Sequence, residues 1–73
     1  MKRTAQFTYY GSSPDKHRVV SLDFDSEKYV VSVEGYPALT QRTTDFDKAV
    51  NILEGWWEMS MKDWGASEIR YFE

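Results

Sequence analysis

Polar and apolar positions alternate along the first half of the chain and recur with a helical period in the second. From Thr4 to Tyr10, Ala5, Phe7 and Tyr9 fall on one side and Thr4, Gln6, Thr8 and Tyr10 on the other. That is the two-residue period of a strand, in residue types that favour one. Arg18 to Asp25 predicts a second strand, with Val20, Leu22 and Phe24 inward and Val19, Ser21 and Asp23 outward. Lys28 to Glu34 predicts a third, with Tyr29, Val31 and Val33 inward and Val30, Ser32 and Glu34 outward. Only the polar turn Asp25-Ser26-Glu27 separates these two runs, so they form a hairpin. Its register is well specified, because a one-residue slip would expose Val31 and Val33.

Between these runs lie turn formers: Gly11-Ser12-Ser13-Pro14-Asp15 after the first strand, and Gly35-Tyr36-Pro37 after the third. Ala38 to Thr44 reads as an irregular link or a short edge strand. Ser67 to Phe72 alternates again and predicts a last strand, with Ile69 and Tyr71 on one side and Arg70 and Phe72 on the other.

The stretch Asp45 to Trp64 is the one long helix. At 100° per residue, Phe46, Ala49, Val50, Leu53 and Trp57 make a continuous stripe that should face the sheet. Thr43, Thr44 and Asp45 are candidate N-caps, and Asp45 and Asp47 sit where the helix dipole favours negative charge. Gly65 is the natural stop. Gly55 costs about 1 kcal/mol relative to alanine in a helix interior; it marks either a close backbone approach or a tolerated defect. The expected fold is α+β: a three- or four-stranded, mainly antiparallel sheet in the order β-β-β-α-β, with the helix packed on one face.

Composition changes this picture in two ways. Seventy-three residues make a single small domain, and one core of that size usually supplies roughly 3–5 kcal/mol. With no cysteine, neither a disulfide nor a thiolate metal site can add to it. Aromatic mass takes their place: three tryptophans, five tyrosines and four phenylalanines. A shared dimer core is the other common remedy. Charge is uneven. Residues 1–20 carry four basic side chains against one acidic, a net of +3, and residues 21–73 carry five against eleven, a net of −6. An acidic whole argues against a duplex-DNA binder. It fits an ordinary acidic domain, or an acidic face that engages a basic partner. No signal peptide and no membrane-spanning run are expected, which points to the cytoplasm.

Few chemistries survive inspection. His17 is the single histidine. It lies near Ser12, Ser13 and Asp15 in a loop with nothing rigid to hold a catalytic trio. Asp23, Asp25 and Glu27 alternate through a turn but lack the glycine and closing glutamate of a calcium loop. No phosphate-cradling glycine loop or cofactor motif is present. An enzyme is not expected, and neither is a cofactor or metal.

One feature of the helix rises above this background. Ile52, Trp56 and Met59 form a second strip beside the core stripe, while Asp47, Asn51, Glu54, Glu58 and Lys62 take the far side. Either a curved sheet or the tail strand covers that strip, or it is an exposed apolar patch for another protein or a second copy of this chain. A third possibility is single-strand nucleic-acid binding on the outer sheet face, over Thr8, Tyr10, Val19, Ser21, Val30 and Ser32. Rings there are few and charges mixed, which disfavours it.

The run Lys28-Tyr29-Val30-Val31-Ser32-Val33, then Tyr36-Pro37-Ala38, the link Leu39 to Thr44, and the helix opening Asp45-Phe46-Asp47-Lys48-Ala49-Val50 together resemble the N-terminal domain of HicB-type antitoxins. The likeness covers about residues 18–58. Pro37, Phe46 and Ala49 match in type, and Asp45 takes the cap position. Ala38 replaces the family's glycine, and Thr43-Thr44 replaces its Gly-Asp. The resemblance implies a non-catalytic domain that binds and masks a partner protein, as small inhibitors of phage or toxin–antitoxin loci do. The family's C-terminal DNA-binding segment has no expected counterpart here, so autorepression through DNA is not implied.

Overall fold

The computed structural model describes residues 2–11 and 17–72. Strands β1 (Lys2–Tyr9), β2 (Arg18–Asp25) and β3 (Lys28–Val33) are followed by a 3-10 turn at Pro37–Leu39, strand β4 (Gln41–Thr43), helix α1 (Phe46–Asp63) and strand β5 (Arg70–Tyr71). All strand pairs are antiparallel, in the order β4-β3-β2-β1-β5. The fold is α+β as expected, but the sheet has five strands rather than three or four. The extra strand is the short edge strand that Ala38 to Thr44 left open. Pro37 turns the chain back, with its fixed φ at the first position of the 3-10 turn, and Gln41 to Thr43 then pair with Val31 to Tyr29.

The hairpin register places Val20 opposite Val33, Leu22 opposite Val31 and Phe24 opposite Tyr29. Its loop is Ser26-Glu27, with φ of 51° and 67°. Positive φ at both central residues is what a type I′ turn requires to match the twist of the strands. In β1 the register shifts between Arg3 and Ala5, so Thr4 is the extra residue of a bulge. Ala5, Phe7, Val20, Leu22, Val31, Val33, Ala49 and Leu53 form the buried core. Val50 and Trp57 pack against it, half-buried. Phe24 and Phe46, at the end of the sheet face and of the helix stripe, are more exposed than expected, at 38% and 41%. They are held in a ring relay, with Phe24 5.0 Å and Phe46 5.3 Å from Tyr29.

Asp45 is the N-cap. Its carboxylate accepts from the backbone N–H of Asp47 at 2.9 Å and of Lys48 at 3.3 Å. At the other end, the N–H groups of Trp64 and Gly65 both donate to the Ser60 carbonyl at 2.8 Å, and Gly65 has φ +90°. Only glycine takes that conformation without strain. A Cβ at Gly55 would meet nothing within 4 Å, so Gly55 is the tolerated defect, not a close approach.

The outer sheet face differs from a plain solvated one. Ser21, Asp23 and Val30 are buried there. Across the strands, Arg42, Val30, Asp23 and Arg3 stand in one row. Arg3 Nε donates to Asp23 Oδ1 at 2.7 Å, and Ser21 bridges Asp23 and Ser32 at 3.4 and 3.2 Å. Alternation assigned Ser21, Asp23, Val30 and Ser32 to the outer face but gave no sign that Arg3 would lie across it.

Candidate protein-binding surface

Helix α1 contacts β1, β2, β3 and β4. Two flanks of the helix therefore open onto grooves, and the adjacent tryptophans serve one each, as their roughly 100° separation allows.

The first groove belongs to the predicted strip. Trp56 and Met59 line it from the helix, together with buried Ser60 and the cap residue Trp64. Val33 and Tyr9 close it from the sheet, and Tyr36 and Leu39 from the 3-10 segment. Its volume is about 150 Å³. The strip itself is divided. Ile52 and Trp56 are half-buried against the core, while Met59 is 42% exposed. The neighbours that matter come from the β3–β4 connection, because the tail leaves along the Trp57 flank. Tyr36, Leu39 and Trp64 are 50%, 40% and 48% exposed, so the apolar patch is wider than three helix positions. Tyr9 stacks on Trp64 with ring centroids 5.6 Å apart. The Tyr9 hydroxyl is held above its ordinary pKa, first by burial and then by Tyr36 and Glu34, with Arg18 opposing. Helical periodicity could not find Tyr36 and Leu39. Their signal was Pro37 between two large apolar residues.

The second groove lies between α1 and the sheet edge at β5. Trp57, Ile69 and Tyr71 form its floor, and Glu54, Glu58 and Glu68 its rim, around about 420 Å³. Trp57 Nε1–H donates to the Ser67 carbonyl at 2.8 Å and ties the tail to the helix. The Tyr71 hydroxyl is also held above its ordinary pKa, by burial first and by Glu54 second.

The two grooves differ in their polar groups: the second carries three carboxylates and a tyrosine. In the first, the polar side chains are Ser60, which is buried, and the two tyrosines. His17 stands away from both, its ring edge-on to Tyr10 at 4.9 Å; Ser12, Ser13 and Asp15 lie outside the described residues. Among the described residues, no three His, Cys, Asp or Glu side chains come together to hold a metal ion. No helix is long and apolar enough to cross a membrane. Of the rings that could serve the outer sheet face, Phe72 lines a hollow with Phe24, Tyr29 and Phe46 and has Arg70 over it at 5.3 Å, while the Tyr10 ring turns to His17. Comparison with protein-family models, curated proteins and solved structures found no match to this chain.

Proposed function

We propose that this chain is a small non-enzymatic protein-binding module that masks a larger partner through the groove beside Trp56 and Met59. The observation that carries this reading is the convergence of Tyr36, Leu39, Met59 and Trp64, all large, apolar and 40% or more exposed, on one concavity. A cavity of about 150 Å³ takes a benzene-sized group, so the groove suits one anchoring aromatic or aliphatic side chain from the partner. Tryptophan, tyrosine and methionine are residues that interface centres favour. The likeness to HicB-type antitoxin domains, which bind and mask a protein, supports the same reading.

The test is capture of partners from the native host with wild-type protein and with Met59→Glu. Met59 is exposed, so the charge should not disturb folding. A protein retained by wild type and lost from the variant supports the proposal. Equal retention by both overturns it. Sedimentation of the isolated chain at micromolar concentration decides the second-copy alternative: a dimer that Met59→Glu splits would assign the groove to self-association.

A further inference from the structure

The groove on the Trp57 flank has a chemistry of its own. Its floor is aromatic and aliphatic, and Tyr71 is 51% exposed. Three carboxylates, Glu54, Glu58 and Glu68, stand around that floor. Among the described residues no cation pairs with them: the one ion pair there is Arg3 with Asp23, on the opposite sheet face. Arg70, the nearest basic residue in sequence, pairs with Gln6 and lies over Phe72 at 5.3 Å, and it does not line the groove. β5 is also the sheet edge, bonded to β1 alone.

These features fit one kind of occupant. An arginine or lysine side chain has an apolar stem that covers rings and aliphatic surface, and a charged head that stays at the rim. The head gains from carboxylates and from aromatic faces alike. An extended segment running along β5 could also use the free strand edge, with alternate side chains entering the groove. We propose that the groove between α1 and β5 seats a basic, extended segment of a partner protein, its cationic side chains over Trp57 and Tyr71 among Glu54, Glu58 and Glu68. Glu54 stands close enough to the Tyr71 hydroxyl to be the second cause, after burial, that holds its pKa above the ordinary value. This surface is separate from the Trp56 groove and does not depend on it.

The test uses the full chain and a capped hexa-arginine peptide. The indole N–H resonance of Trp57 is followed by NMR, since that proton already sits in a hydrogen bond at the groove. Peptide should shift the Trp57 signal more than that of Trp56. The variant Glu54→Gln/Glu58→Gln/Glu68→Gln should bind about tenfold more weakly, the sum expected of three partly exposed ion pairs. A control, Glu27→Gln/Asp47→Asn/Asp63→Asn, removes the same charge elsewhere and should bind as wild type does. Equal weakening in both variants would mean attraction by net charge alone and overturn the proposal, as would an unmoved Trp57 signal. Met59→Glu should leave peptide binding unchanged, so failure of the Trp56-groove reading and failure of this one are told apart.

Discussion

At the scale of single residues, the adjacent pair Trp56 and Trp57 shows how one turn of helix can hold two jobs. Trp57 closes the core edge and hydrogen-bonds the tail; Trp56 lines the apolar groove while leaning on the core. Trp56→Ala should therefore cost less than the about 3 kcal/mol at which loss of a fully buried ring begins. Leu53 has no exposure at all, and Leu53→Ala should cost about 2–5 kcal/mol, much of what one small core supplies. Urea midpoints separate the two outcomes, and equal costs would make Trp56 a core residue. Asp45→Ala removes the side chain that caps two N–H groups and should cost about 0.5–2 kcal/mol. Gly55→Ala should have the opposite sign. The added methyl meets nothing, and the helix gains about 0.4–1 kcal/mol from a stiffer unfolded chain. A destabilised Gly55→Ala protein would mean that the helix is not straight and free at that point.

At the scale of elements, period and punctuation explain what was legible. The three long strands and the helix carry enough repeats for their buried side to be read directly: Ala5, Phe7, Val20, Leu22, Val31, Ala49 and Leu53 are inward both by pattern and in the structure. Two elements were legible only in part. The alternation of Ser67 to Phe72 marks the last strand but overstates its length, since β5 pairs over two residues, and β4, at three residues, is too short to show a period, so that stretch stayed open between an irregular link and an edge strand. The same holds for the surface. Trp56 and Met59 were legible as a strip, but Tyr36 and Leu39 reach the groove only because the 3-10 turn folds back beside the helix. The hairpin turn is an element with a local weakness. Ser26 and Glu27 both hold positive φ, which neither prefers. Ser26→Asn/Glu27→Gly supplies the residue pair that type I′ turns favour and should raise the thermal midpoint without altering partner capture, since the turn lies in neither groove. A lowered midpoint would show that the turn is of another type.

At the scale of the whole molecule, the two grooves and the charge distribution give the domain two chemically distinct flanks. One is apolar, edged by Tyr9, Tyr36 and Trp64; the other is aromatic with an acidic rim. A tyrosine reports on each, which makes alkaline titration a test of the arrangement. Tyr9 and Tyr71 both have folded-state pKa values raised above 10.0, chiefly by burial. The unfolded chain therefore releases these protons first. Their contribution to stability is intact below about pH 10 and is lost as the pH rises through the folded-state values. Urea denaturation at steps from about pH 8 to about pH 11.5 should show stability falling over the upper part of that range. Tyr9→Phe and Tyr71→Phe should each flatten the fall, because phenylalanine has no proton to lose. Glu54→Gln removes the second cause of the Tyr71 shift and should bring its ionisation closer to the ordinary value in an absorbance titration, while leaving that of Tyr9 in place. If Glu54→Gln moved neither tyrosine, Glu54 would not face the Tyr71 hydroxyl, and the acidic rim would lose one of its three carboxylates.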